Sequence, residues 1–181
     1  TFTGHTMNSL VIRAAGEATA TFALSNGVST FTPWFIGSDT AANAMNIQVN
    51  AGVTVREDPA QGATSLYYKN LTGDGTLNLG GALSTTGYVM GDATIATLIS
   101  SGTKKISIGN GGNTGRLLSG NVQANGGLLL DSSLSYTFSG VQSIGTLTKQ
   151  GAGTVILTGA NTSTSNITVS NGVLQVGDAG T

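Results

Sequence analysis

Residues Gly145 to Gly177 read GTLTKQGAGTVILTGANTSTSNITVSNGVLQVG. Near the end of this stretch, Ile167-Thr168-Val169 and Leu174-Gln175-Val176 each put two apolar side chains on one face and a small polar one on the other. That two-residue period marks a strand with one wet face. It places Leu174 inward and Gln175 outward. Asn171-Gly172 divides the two runs, and Asn and Gly both accept the positive φ of a tight corner. No charged residue falls between Gln150 and Gly177. Thr, Ser, Asn and Gly nevertheless interrupt the stretch throughout, so it is not a membrane span, which takes about 20 mostly apolar residues.

The same pattern extends back along the chain. Ile47-Gln48-Val49, Val53-Thr54-Val55, Leu77-Asn78-Leu79, Ile106-Ser107-Ile108 and Leu134-Ser135-Tyr136 alternate in the same way. Asn26-Gly27, Ala51-Gly52, Asn110-Gly111 and Asn125-Gly126 supply further corners. Apolar i, i+3, i+4 spacing is missing, and the best helical candidate, Thr40 to Asn46, is too short to matter. Asn-Gly between strands ordinarily suggests an antiparallel hairpin. Strands of about three to five residues with recurring flanks fit a coil better, each strand lying on the one a coil below. The fold class is therefore all-β, a parallel β-helix or β-solenoid, with residues 1–181 as a single domain. With about 18–25 residues per coil, the chain is expected to form roughly eight or nine coils. Stacked at about 4.8 Å, these give a rod roughly 40 Å long. Five Phe, four Tyr and one Trp are few bulky groups, as a thin core demands.

Internal similarity supports repetition. Gly73 to Leu79 parallels Gly151 to Leu157, and Ile47 to Val53 parallels Ile167 to Val173. Composition agrees. Gly, Thr, Ser and Asn occupy 87 of 181 positions, and these types form helices poorly. Seven basic residues against eight acidic ones build no basic face for nucleic acid. There is no cysteine for a disulfide or thiolate chemistry. A hydrophobic fraction of 39% with only 8% charged residues argues against disorder.

The glycine, lysine and asparagine positions of the quoted stretch carry a further signal. It resembles the autotransporter-associated β-strand repeat of bacterial autotransporter passenger domains. Gly145, Leu147, Lys149, Gly151, Gly153, Thr154, Leu157, Gly159, Asn161, Thr162, Thr164, Val169, Gly172, Leu174, Val176 and Gly177 all match that pattern. Ser163 and Ser165 depart from it, standing where Tyr and Gly are usual. A half copy lies at Leu71 to Gly80. The resemblance implies a right-handed β-helix exported across the outer membrane of a Gram-negative-type bacterium and displayed or released at the cell surface. It also implies a repeat that assists folding and secretion and carries no catalytic residues. The chain is expected to be a segment of a longer protein.

Nothing in the sequence assembles a reaction site, and no catalytic residue, cofactor or metal ligand is assigned. His5 is the single histidine and reads as a surface residue. Glu57-Asp58, the one adjacent acidic pair, falls in a turn-like insertion ending at Pro59, where neighbouring side chains diverge. Gly73-Asp74-Gly75 and Gly109-Asn110-Gly111-Gly112 lack the Lys-Ser/Thr of a phosphate loop and the tandem Asp of a calcium turn, and read as coil corners. Lys104-Lys105 reads as a solvated corner. In Tyr67-Tyr68 one ring is expected to face in and the other out. Phe31, Trp34 and Phe35 around Pro33 are read as a cap on the N-terminal coil or, alternatively, as a contact for a glycan or protein partner. The expected role is a non-enzymatic stiff rod. The alternatives are an extracellular filament subunit stacking end to end and an adhesin or glycan-binding module. The expected partners are self-association or adjoining coils of the same longer chain, with a surface glycan or host matrix as the third. Nucleic acid and membrane insertion of this segment are not expected.

Overall fold

The computed structural model describes residues 11–12, 21–24, 30–31, 35–38, 40–56, 65–79, 86–163 and 165–178, with side chains from Gly37 onward except Ser163. Strands pair side by side in parallel, coil upon coil. The first ladder stacks Thr21–Leu24, Met45–Val49, Leu66–Thr72, Thr86–Val89, Lys105–Ile108, Leu128–Leu130, Leu147–Lys149 and Ile167–Val169. The second stacks Thr30–Phe31, Thr54–Arg56, Thr76–Asn78, Thr97–Ser100, Asn121–Ala124, Gln142–Ile144 and Asn161–Ser163. A third face ends in Tyr136–Phe138, Thr154–Leu157 and Val173–Val176. Asp92–Ala93 and Arg116–Leu117 precede it in the stack, the latter lying beside Tyr136–Phe138. All the ladder pairings are parallel, and the isolated antiparallel bridge is Ser38 with Tyr67. The molecule is a parallel β-solenoid. Its helical content among the described residues is the 3-10 turn Ala41–Asn43, inside the short candidate noted above.

Among the described residues the coil count is lower than expected for the whole chain. Seven strands of the second ladder enclose six turns between Thr30 and Ser163. At about 4.8 Å per turn this is roughly 30 Å of rod. Division of the whole chain length assigned every residue to a coil of average size. The coils are not uniform in length. Cross-coil hydrogen bonds join side chains 24 positions apart at Asn46 and Asn70. The step is only 19 between Ser135 Oγ and the Thr154 amide.

The pleat sets which side chains enter the core. Met45–Val49 reads buried at its first, third and fifth residues, and Leu128–Leu130 at its first and third. The inward positions line up axially. Tyr68, Val89, Ile108, Leu130, Lys149 and Val169 form one column. Val55, Leu77, Leu98, Val122, Gln142 and Asn161 form another. Tyr68 is fully buried, while Tyr67 faces out and stacks on Tyr88 of the next coil with ring centroids 4.8 Å apart. Outside, a polar column runs up four coils: Asn70 Nδ2 donates to Asn46 Oδ1, the Asp92 amide to Asn70 Oδ1, and Arg116 binds Asp92 bidentately at 2.7 and 2.8 Å.

Three sequence expectations are corrected. Leu134-Ser135-Tyr136 is not a strand; the strand is Tyr136–Phe138, two residues later. Lys104-Lys105 is not a uniformly solvated corner. Lys104 lies in phase with inward Ile106 and is 5% exposed, and Lys105 alone faces out. The Gly73 and Gly151 copies of the repeat do not occupy equivalent faces. Thr76–Asn78 of the first copy lies in the second ladder, whereas Thr154–Leu157 lies on the third face. Each side of a three-strand coil needs the same alternation and the same glycine corner, so likeness in sequence does not fix the face.

Candidate functional site

The most unusual chemistry among the described residues is a lysine inside the core. In Leu147–Lys149 the pleat turns both end residues inward, and Lys149 has 0% exposure. Its neighbours in the column are Leu130 below and Val169 above. The ammonium Nζ donates to the Gly151 carbonyl and lies 3.4 Å from the Asn171 carbonyl one coil later. It therefore bridges the corners of two successive coils from within. Burial lowers the Lys149 pKa, and the charge of Asp131, in the coil before, opposes that shift. The side chain is fully enclosed, and one further described coil lies beyond it.

Glycines make room for this arrangement. A Cβ on Gly172, whose φ is +71°, would stand 2.6 Å from Lys149 Nζ and would crowd the carbonyls of Gly151 and Gly153. The Asn171-Gly172 turn thus rests directly on the Gly151–Gly153 turn, with the lysine beneath both. Backbone bonds pin the overlay: the Ser170 amide donates to Lys149 O at 2.8 Å and the Val173 amide to Gly153 O at 3.3 Å. Asn161 Nδ2 donates to Gly159 O at 2.8 Å, and Thr162 Oγ1 to Gln142 O at 2.8 Å. These polar positions of the repeat hold corners and edges of the coil.

The other repeat positions divide by depth. Leu147 and Leu157 are buried at 2% exposure. Leu174 pairs with buried Val155 and packs against the core, so its inward phase is as read from the sequence. Val176 pairs with Leu157 yet is 63% exposed, because no described coil covers it. Gly145, Gly151 and Gly153 approach carbonyls of the preceding coil too closely for a side chain. Gly177 closes the last strand by donating its amide to Leu157 O at 2.8 Å, while Thr154 begins the strand before.

Sequence reading placed Lys149 in the repeat but gave it no burial. The signal was present: Lys149 stands two residues after Leu147, on the same side of the pleat. Of the partner-contact candidates, Trp34 lies outside the described residues. Phe31 and Phe35 are described as backbone only, Phe31 beside Val55 and Phe35 beside Val11. His5, Glu57, Asp58 and Pro59 also lie outside the described residues. Among the described residues no group of three or more side chains could hold a metal ion, and none of the helices described is long and apolar enough to cross a membrane.

Residues 147–176 match the family model of the passenger-associated-transport-repeat. No curated protein and no solved structure matches the chain. The matched residues contain the buried lysine, both stacked turns and the last described strand of each face. Together the repeat and the parallel solenoid fit a repeat of an autotransporter passenger region.

Proposed function

We propose that this chain is a non-enzymatic β-helical segment of an exported, surface-displayed passenger, a stiff rod that spaces or presents other parts of its molecule. The observation that carries the reading is the unbroken parallel stack that ends in the matched repeat. In that stack the inward side chains are consumed by the core, and the outward ones are mostly short Thr, Ser and Asn that suit a strand surface. An epitope inserted in the exposed corner at residues 110–113 of the whole gene product tests display. Antibody should reach it on intact cells. Labelling only after lysis would refute export, and turnover of any substrate in a polysaccharide panel would refute the non-enzymatic assignment.

One observation favours the filament alternative as well. Ile167 and Val169 are 52% and 50% exposed, although they pair with Leu147 at 2% and Lys149 at 0%. The last described coil therefore presents inward-type positions to solvent, along with strand edges that carry unpaired backbone groups. Another coil of the same spacing is the matching cover, supplied by the same longer molecule or by a second copy.

A further inference from the structure

We propose that Asn171-Gly172 is a built-in self-modification site, at which the Gly172 nitrogen closes on the Asn171 side-chain amide with Lys149 activating the peptide between them. The Gly172 amide nitrogen lies 2.8 Å from Asn171 Oδ1. The turn therefore holds that nitrogen against the side-chain amide carbon it would attack, and such proximity removes much of the entropic cost of ring closure. Lys149 Nζ lies 3.4 Å from the Asn171 carbonyl oxygen. A positive charge at that oxygen, in surroundings less polar than water, draws electron density from the peptide and acidifies the Gly172 N–H. Asn171 is exposed, so hydroxide and water reach the turn from outside while the lysine acts from inside.

The step balances without an added reagent. Hydroxide takes the Gly172 proton, and the nitrogen bonds to Asn171 Cγ. The Cγ–Nδ2 bond breaks, and ammonia leaves with a proton from water. Water then opens either carbonyl of the resulting succinimide, giving aspartate or isoaspartate. Both products place a carboxylate on the turn that lies over the Lys149 ammonium. The isoaspartate also lengthens the backbone between Ile167–Val169 and Val173–Val176.

Two other Asn-Gly pairs in the described residues share the local sequence but not this geometry. The Gly111 amide donates across to Asp131 O at 3.0 Å, which directs its nitrogen away from Asn110. Gly126 is wedged against the Thr103–Lys104 backbone, where an added Cβ would meet Lys104 O at 2.4 Å. Neither has a lysine ammonium recorded on the carbonyl of its asparagine.

Incubation of the folded 181-residue chain at mildly alkaline pH, followed by peptide mapping, tests the proposal. The Asn171 peptide should convert from amide to acid several-fold faster than the Asn110 and Asn125 peptides. In strong denaturant the three rates should converge, since the dipeptides are the same. Lys149→Met should slow Asn171 several-fold and leave Asn110 and Asn125 at their folded rates, which also reports that the coils persist. Folded Asn171 converting no faster than the other two would overturn the proposal. An unchanged Asn171 rate in Lys149→Met, with the other two peptides still slow, would remove the lysine from it. If Lys149→Met loosens the fold and all three rates rise together, the wild-type order decides alone.

Discussion

Lys149 and Gln142 are polar side chains in columns that are otherwise largely apolar, and the surrounding chain treats them in opposite ways. Lys149 finds the Gly151 and Asn171 carbonyls. Gln142 is 0% exposed, and neither atom of its amide group has a hydrogen-bond partner among the described residues. Burying a polar group without a partner is unfavourable, whereas removing one partner of a satisfied pair strands the other. Lys149→Met should therefore lower stability by about 1–3 kcal/mol by stranding two carbonyls. Gln142→Leu should raise it by about 1 kcal/mol. Chemical denaturation of both variants checks the opposite signs. Tyr136 repeats the Gln142 case, since its hydroxyl is buried and has no partner among the described residues. Burial alone pushes the Tyr136 pKa above its ordinary value of 10.0. Folding therefore disfavours the phenolate. The stability Tyr136 contributes is complete below the unfolded value and is lost as pH climbs above about 10 toward the raised folded value. Tyr136→Phe should be neutral or stabilising at neutral pH and should flatten the alkaline loss, as read from unfolding midpoints across that range.

At the scale of the element, burial depends on having a coil on each side. Leu157 is 2% exposed between Phe138 and Val176. Leu174 has Val155 below it and no described strand above, and it is only half-buried. Leu157→Ala should cost about 2–5 kcal/mol, and Leu174→Ala about half of that. Gln175→Ala should cost less than either, because Gln175 pairs with outward Ile156 and its side chain only bonds Gly177 O. Equal shifts for Leu174→Ala and Gln175→Ala would show that the strand phase is wrong. That phase was legible in the sequence, because apolar alternation reports the pleat directly: Ile47-Gln48-Val49 sits as read, and Leu174 takes its inward place, whereas Ser107, read as facing water between Ile106 and Ile108, is itself buried. The face of the solenoid was not legible, because a strand and a glycine corner look alike on all three sides, and the Gly73 and Gly151 copies accordingly landed on different faces. The buried lysine was missed for a different reason. A charge in a polar-rich segment reads as solvated unless its parity with Leu147 is counted, and its acceptors are backbone carbonyls, which leave no mark in the sequence. Lys104, in parity with Ile106, was misread in the same way.

The whole molecule is a stack whose interior is closed along its sides and open at its last described coil. Val173 and Val176, at 53% and 63% exposure, join Ile167 and Val169 there. The strands Asn161–Ser163, Ile167–Val169 and Val173–Val176 each terminate their ladder. Free strand edges are usually guarded by Lys, Pro or a bulge, since unpaired amides and carbonyls template a further strand. Between Gln150 and Gly177 there is neither a charge nor a proline. Parallel pairing with another coil would bury the exposed valines and isoleucine at about 25 cal/mol per Å² of apolar surface, and it would also satisfy the edge groups. The isolated 181-residue chain should therefore associate with itself as concentration rises, growing end to end rather than side by side, because the outer walls are small and polar. Sedimentation velocity over a concentration series should show the mean mass increasing, with elongated rather than compact particles. Val169→Lys and Val176→Lys put a charge into the open end without touching a fully buried position, so each should hold the chain monomeric while leaving its unfolding midpoint nearly unchanged. A wild-type chain that stays monomeric throughout, or one whose association ignores both lysines, would mean that this end is not the surface through which the rod continues.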